Sequence, residues 1–183
     1  MKAVILSIRP EWCDRIANGE KNIELRKNKP NLETPFKCYI YCTRSKFKIY
    51  DGDPNSRISD NGKVIGEFIC DRIEHLDLDS VGVGFREEGQ FTYIVDLGWN
   101  TGLTFGEFVN YTEGRMIFGW HISSLIIYET PKQLSDFKKV CSKDIYCESC
   151  AMFSENSQKC LNDALTLKRP PQSWCYVQEV SEE

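Results

Sequence analysis

The chain has 183 residues, of which 41% are hydrophobic and 27% are charged. This composition suits one globular domain with a small appendage, and no apolar run approaches the ~20 residues that a membrane-spanning helix needs. The N-terminus lacks the pattern of a signal peptide, so we expect a soluble, cytoplasmic protein. The formal net charge of -4 argues against tight, generic binding to a nucleic-acid backbone.

The charge is unevenly distributed along the chain. Residues 1–50 contain 11 Lys and Arg against 5 Asp and Glu, a balance of +6, whereas the rest of the chain is acidic. This asymmetry is compatible with ordinary surface variation. It is also compatible with a local site for a nucleotide or a short strand, rather than a long groove for a duplex.

The first predicted elements are a buried strand and a short helix. Lys2–Ile8 is apolar and rich in β-branched residues, which is typical of a buried strand. Pro10 then stands at a first helical position, and Trp12 and Ile16 share one helix face. Gly19 is placed where a helix ends in a left-handed cap.

After Gly19 the hydrophobic period falls to two. Glu24 and Arg26 therefore share one face of a second strand, and Lys21 lies in the turn beside them. The residues Gly19-x-Lys21-x-x-Glu24-x-Arg26 match the G-x-K-x-x-E-x-R signature of ASCH domains, which belong to the PUA-like superfamily. The preceding segment Ser7–Trp12 resembles the strand-to-helix segment of the same family.

The resemblance covers about residues 2–128 and implies an α+β fold: a small, strongly bent PUA-like β-barrel with a few short helices. It also implies a cleft where the signature residues converge, lined by Ser7, Lys21, Glu24 and Arg26. The family is associated with the binding of RNA or modified nucleosides, and some of its members are hydrolases.

Two further strands are predicted by alternation of apolar and polar residues, Phe36–Thr43 and Gly62–Ile73. Gly66, inside the second of these, indicates a bend or the close approach of another backbone. Residues 44–61 are rich in turn formers and indicate a long loop. Asp77–Gly89 is acidic and glycine-rich and also indicates a loop.

A short helix is predicted after Thr104, because Thr104 and Glu107 have the spacing of a capping box. Phe118–Tyr128 is then predicted to begin as a turn and to end as a strand. Within it, Trp120 would either stack on a base or pack in the core. His121 follows Trp120, and a single histidine beside a tryptophan is more often structural than catalytic.

The C-terminal region is rich in cysteine. Four cysteines follow the spacing C-x5-C-x2-C-x9-C, namely Cys141, Cys147, Cys150 and Cys160. Four thiolates complete a tetrahedral zinc site, and the surrounding segment is polar, so a metal would supply its folding energy. We therefore predict a structural zinc ion, with Cys175 as an alternative fourth ligand. An iron–sulfur cluster, disulfides or a redox pair, and unligated cysteines are the alternatives.

The remaining cysteines are scattered along predicted strands and the first helix. They fit positions in the core, where a free cysteine behaves as a small hydrophobic residue. They are Cys13, Cys38, Cys42 and Cys70.

The chain is predicted to divide into three segments: an ASCH/PUA-like barrel over 1–130, a Cys-rich insertion over 131–169, and a returning C-terminal strand and tail over 170–183. Trp174 in the last segment would either wall a base-sized pocket or pack a capping strand. This arrangement resembles a subgroup of ASCH-like proteins that carry a Cys-rich insertion, including phage-encoded ones.

Three functions are compatible with these residues. The first is a binding module for RNA or a (modified) nucleotide or nucleoside. Lys21 and Arg26 would contact phosphate or a base edge, and Glu24 would accept hydrogen bonds from amino groups. Trp120 or Trp174 would stack on a base.

The second function is a hydrolase, an amidohydrolase or a nuclease-like enzyme, acting on a modified nucleoside or RNA. The resemblance implies it, since a small bacterial ASCH-type enzyme that hydrolyses acetylcytidine uses the signature lysine. That enzyme has a Thr nucleophile where this chain has Glu24, so this chain departs from its pattern at that position. Lys21 or Glu24 would instead serve as general base for water. The third function is a protein-interaction or ligand-sensing module that docks through the Cys-rich segment.

Overall fold

The computed structural model describes residues 1–44, 61–79, 82–87, 90–93, 101–141, 152–154 and 159–180. Most of the loop predicted at 44–61 lies outside the described residues, as do Cys147 and Cys150.

The described residues form ten strands, two α-helices and two short 3-10 helices. The strands are β1 (Lys2–Ile8), β2 (Ile23–Arg26), β3 (Phe36–Cys42), β4 (Val64–Asp79), β5 (Gly82–Glu87), β6 (Gln90–Tyr93), β7 (Ile117–Lys132), β8 (Phe153–Ser154), β9 (Lys159–Cys160) and β10 (Trp174–Gln178). The helices are α1 (Pro10–Ala17) and α2 (Phe105–Thr112), with 3-10 helices at Leu134–Asp136 and Asp163–Leu165.

Eight of these strands form one mixed sheet. Its hydrogen-bonded order is β10-β1-β3-β4-β7-β2, and β5 and β6 extend from the far end of β4. β1 and β3 run parallel, whereas the other described pairs are antiparallel. The α+β class predicted from the sequence is confirmed, and in its described part the sheet is open, with β10, β2 and β6 as its end strands.

The strand and helix predicted at the N-terminus are confirmed. α1 begins at Pro10, whose fixed φ suits a first helical position, and Arg9 before it is extended. Gly19 has a φ of 78°, the left-handed conformation predicted for a residue that ends a helix. The capping box of Thr104 and Glu107 is also present at the start of α2.

Gly66 lies at a close approach of two backbones, as the sequence predicts. β4 pairs with β7 there, and a Cβ atom on Gly66 would collide with the carbonyl oxygen of Ile126. Only glycine leaves room for this contact, so Gly66 permits the two longest strands to pair.

Two predictions about strand ends are wrong. Asp77–Gly89 was expected to be a loop, but β4 continues to Asp79 and pairs with β5. The ladder is made by backbone groups, so a sequence rich in acidic residues and glycine does not prevent it. Phe118–Tyr128 was expected to begin as a turn, but it lies within β7, whose first residues pair with β2 on one side and β4 on the other.

The parallel pair of β1 and β3 is buried on both faces. The first core cluster lies on the face that carries α1 and includes Val4, Leu6, Cys38, Ile40 and Trp120. The second core cluster lies on the other face and comprises Ala3, Ile5, Tyr39, Tyr41, Val64, Phe137, Leu167 and Val177. The predicted insertion over 131–169 therefore contributes two apolar side chains to the same core as β1.

A third, smaller cluster holds β2 against α2. It comprises Ile23, Leu25, Leu76, Phe108 and Ile117. None of the described helices is long and apolar enough to cross a membrane.

Candidate functional site

The register between β2 and β7 decides where the signature residues point. Ile23 stands opposite His121, and Glu24 stands opposite Trp120. Residues directly opposite in an antiparallel pair share a face. Glu24 and Arg26 therefore lie on the face of Trp120 and the first core cluster, whereas Ile23 and His121 lie on the other.

Lys21 is almost fully buried, and its ammonium group is bound on all sides by the protein. Its Nζ donates to the carbonyl oxygens of Ile23 at 2.6 Å and Thr101 at 2.7 Å, and lies 3.3 Å from Glu24 Oε2. Burial lowers the pKa of Lys21, and the charges of Arg26 and Arg15 lower it further, while Glu24 opposes them. Lys21 thus ties the turn before β2 to residue 101 and holds Glu24 in place.

Glu24 and Arg26 form the second half of this cluster. Arg26 Nη2 lies 3.0 Å from Glu24 Oε1 and donates to the carbonyl oxygen of Ser7 at 3.0 Å. Both side chains are mostly buried. The buried Nε of Arg26 has no hydrogen-bond partner among the described residues. We call Lys21, Glu24 and Arg26 the signature cluster.

Ser7 connects the signature cluster to the C-terminal segment. Its hydroxyl donates to the carbonyl oxygen of Pro171 at 2.6 Å, and its N–H donates to the carbonyl oxygen of Ser173 at 2.9 Å. The structure therefore brings Ser7 and Arg26 into contact and places the segment before Trp174 beside Ser7.

Trp174 is partly exposed at the start of β10. Its Nε1 donates to Asn28 Oδ1 at 2.8 Å, and its ring lies 5.4 Å from that of Tyr176 and 5.8 Å from that of Trp120. Asn28 follows Arg26 by two residues, so this hydrogen bond places the indole near the end of β2. Trp174 offers aromatic surface next to the signature cluster.

Trp120 occupies a different environment. It is fully buried in the first core cluster and packs edge-on against Phe36. A ring with no exposed face has no surface on which a base could stack, so this placement corresponds to the core alternative for Trp120.

Sequence reasoning missed one polar pair. His121 Nε2 lies 2.8 Å from Glu74 Oε1, and Arg72 Nε contacts the same oxygen at 3.0 Å. Burial alone would raise the pKa of Glu74, but the contacts with His121 and Arg72 hold it below its usual value. The predicted strand ended at Ile73, one residue before Glu74, and the pairing of β4 with β7 that brings Glu74 to His121 has no local sequence signal. The pair lies on the face of Ile23, away from Glu24.

The four cysteines predicted to bind zinc are only partly described. Cys141 is free and partly buried, and the backbone of Cys160 lies in β9. The described residues contain no group of three or more His, Cys, Asp or Glu side chains placed to hold a metal ion. Cys175, the alternative ligand, is free, partly buried and packed against the second core cluster.

The scattered cysteines occupy the core, as predicted. Cys13, Cys38, Cys42 and Cys70 are buried and free. Burial raises the pKa of the Cys70 thiol to about 12, which keeps it protonated and unreactive at neutral pH.

Comparisons with known proteins agree with this fold. Residues 6–90 match the family model of the ASCH domain. The crystal structure of ASCH from Zymomonas mobilis is similar, with a TM-score of 0.51 and 19% identity over 72% of this chain and 73% of that chain. The crystal structure of a single-residue variant of the Zymomonas mobilis protein is also similar, with a TM-score of 0.50 and 19% identity over 73% of this chain and 77% of that chain. At this identity the likeness shows the fold alone. No curated protein sequence is significantly similar to the chain.

Proposed function

The chain carries an ASCH domain over residues 6–90, and we propose that it binds RNA or a nucleotide-like ligand beside the signature cluster. The ligand would lie between the Arg26 guanidinium and the ring of Trp174. This is a binding function, which needs fixed donors and a stacking surface but no acid–base pair.

The observation that carries the proposal is the state of Arg26. Its guanidinium is oriented by Glu24 and by the carbonyl oxygen of Ser7, and 11% of the Arg26 side-chain surface stays exposed. The exposed part of the guanidinium would donate a charge-assisted hydrogen bond to the ligand, and such bonds are roughly twice as strong as neutral ones. An acceptor on a phosphate or a base edge fits this donor.

The charge of the cluster supports an anionic ligand. With Lys21 and Arg26 protonated, the cluster has two positive groups and one negative group, Glu24, all mostly buried. A buried net positive charge is unfavourable unless it is compensated. A phosphate group near Arg26 would supply the missing negative charge, and base stacking on Trp174 would add to the affinity.

Hydrolysis by Lys21 is less well supported by this geometry. Burial lowers its pKa, which favours a general base, but its ammonium group already binds two carbonyl oxygens and Glu24. We therefore assign Lys21 to positioning and Arg26 to ligand contact. Chromatography of each ligand after incubation with the protein separates binding from turnover.

A thermal-shift screen of nucleosides, nucleotides and short RNAs tests the proposal. A ligand at 100 times its dissociation constant stabilises the protein by about 2.7 kcal/mol, which is visible as a higher Tm. The shift should disappear in Arg26→Gln and persist in Arg115→Gln, a control that removes an exposed charge after α2. A shift of equal size in both variants would place the ligand elsewhere.

A further inference from the structure

A cavity of about 680 Å³ lies on the face of the sheet that carries the second core cluster. Its walls come from the end of β3, from residues 133–135 and from residues 167–170. Pockets for small ligands typically measure about 300–1,000 Å³, so the cavity has the size for a nucleotide. The signature cluster lies on the other face of β1 and β3, so the cavity is not part of that site.

The charged residues of this cavity are both cations. Arg44 and Lys168 line it, and none of its described lining residues is acidic. Tyr41 and Ser135 add hydroxyl groups to the wall. Burial raises the pKa of the Tyr41 phenol, and the positive charge of Arg44 partly offsets this rise. An anion with further hydrogen-bond acceptors matches this lining.

The side chain of Arg44 lies against the turn at Gly62. Gly62 has a φ of +82°, and a Cβ atom there would come within 2.7 Å of Arg44 Nε and 2.9 Å of its Cγ. The N–H of Gly62 also donates to the carbonyl oxygen of Cys42 at 2.7 Å, so the turn is fixed to β3. The side chain of Arg44 thus occupies space that only a glycine at position 62 leaves open.

The other two walls are also fixed by hydrogen bonds. The 3-10 helix Leu134–Asp136 is capped by the Asp136 carboxylate, which accepts from the N–H of Gln133 at 2.8 Å. Leu167 donates its N–H to the carbonyl oxygen of Phe137 at 2.9 Å. Walls that are already ordered lower the entropic cost of binding.

We infer that this cavity binds a phosphate ester of nucleotide size, with the phosphate between Arg44 and Lys168 and the apolar part against Leu134 and Leu167. The inference does not use Arg26 or Trp174 and therefore stands apart from the proposed function. A phosphate ester reaches such a site either as a free nucleoside monophosphate or as a phosphodiester within an RNA strand.

Isothermal titration calorimetry with AMP, GMP, CMP and UMP, the matching nucleosides, and a four-nucleotide RNA with a 5′-hydroxyl group tests the inference. We expect at least one monophosphate to bind and its nucleoside to bind at least ~10-fold more weakly, because charge-assisted hydrogen bonds supply the affinity. Arg44→Ala and Lys168→Glu should each weaken binding of that monophosphate by about the same ~10-fold factor. Arg169→Ala, an exposed neighbour that does not line the cavity, should leave it unchanged.

The RNA arm distinguishes the two sources of phosphate. Binding of the RNA but of no monophosphate, with the same dependence on Arg44 and Lys168, would support the cavity as a phosphodiester site. Binding by neither probe, or binding that a folded Lys168→Glu variant leaves unchanged, would overturn the inference. So would binding that only Arg26→Gln abolishes, because the ligand would then belong to the signature cluster.

Discussion

Lys21 is a lysine whose ammonium donors all have partners inside the protein. Two are carbonyl oxygens, one of them on Thr101 at a distance of 80 positions along the chain, and the third is Glu24. The signature lysine therefore fixes the geometry of its neighbours. These contacts agree with the proposal that Lys21 positions the cluster and Arg26 contacts the ligand.

Substitution of Lys21 should destabilise the protein strongly. In Lys21→Met, two buried carbonyl oxygens and the Glu24 carboxylate lose a donor, and breaking a buried ion pair costs about 3–5 kcal/mol. The free energy of unfolding in urea measures this loss. Lys27→Met is the control, since its pair with Glu113 is half exposed and should change stability by less than ~1 kcal/mol. A loss of similar size in both variants would contradict the structural role of Lys21.

The sequence predicted which residues of the signature meet, but not what each one does. The alternation of Glu24 with Ile23 and Leu25 places Glu24 and Arg26 on one face, and the structure agrees. The partner of Lys21 at Thr101 lies in a remote turn, and no local pattern indicates it. The burial of Trp120 also depends on residues that are distant in sequence, so the sequence left open whether its ring packs in the core or is exposed for stacking.

The pairing of β4 with β7 depends on Gly66. Gly66→Ala would force its Cβ into the carbonyl oxygen of Ile126, so the two strands would have to move apart. We expect a loss of about 1–3 kcal/mol in the free energy of unfolding, the usual cost of overpacking. Thermal or urea unfolding measures the loss.

Gly106→Ala is the matched control for this substitution. Gly106 lies in α2 and a Cβ atom there would meet nothing within 4 Å. Alanine is the better helix former, so this variant should be unchanged or more stable by up to ~1 kcal/mol. If both variants lost the same stability, steric contact at Gly66 would not be the cause.

Glu67 joins three strands of the sheet. On β4, it accepts from Lys37 of β3 at 2.8 Å and from the Tyr128 hydroxyl of β7. Burial alone would raise the pKa of Glu67, but these hydrogen bonds and the nearby Lys37 charge hold it below its usual value. A carboxyl with a lowered pKa in the folded state stabilises the protein above its unfolded pKa and loses that effect as pH falls.

Glu67→Gln should therefore reduce the pH dependence of stability in acid. Above about pH 5 the wild type should be more stable than Glu67→Gln, and the difference should shrink as the pH falls below ~4.3, the ordinary pKa of Glu. Unfolding curves at a series of pH values measure it. Exposed Glu33→Gln serves as the control, and a constant difference for Glu67→Gln across this range would be inconsistent with a lowered pKa.

Elements with clear local signals, such as hydrophobic periodicity or helix-capping residues, were predicted well. Elements that depend on pairing with a distant strand were not. β1, α1 and the start of α2 carry their own signals in Pro10, Gly19 and Thr104. The end of β4 is acidic and becomes a strand because β5 supplies backbone partners. Local composition favours a loop there, and only the partner strand reverses that preference.

The two ends of the chain meet in one sheet. β10 pairs with β1 along its length, and Phe137, Leu167 and Val177 complete the second core cluster. The segments before and after the Cys-rich region are therefore anchored in the same core. The predicted boundaries at 131 and 170 mark changes of composition and remain predictions for domain organisation.

We propose that Cys141, Cys147, Cys150 and Cys160 hold a structural zinc ion between these anchored segments. Metal analysis of protein purified without chelator should find close to one zinc per chain, and Cys147→Ser with Cys150→Ser should remove it and lower the Tm. Cys175→Ser should leave the zinc content unchanged. Less than ~0.2 zinc per chain in a folded wild-type protein would exclude the site.

The most direct test of the proposed function is the dissociation constant of the best ligand from the thermal-shift screen, measured for wild type, Arg26→Gln and Trp174→Leu. Loss of a charge-assisted hydrogen bond or of one stacked base costs about 1–3 kcal/mol, so each variant should bind at least ~5-fold more weakly while remaining folded. Dissociation constants within ~2-fold of wild type in both variants would contradict binding beside the signature cluster.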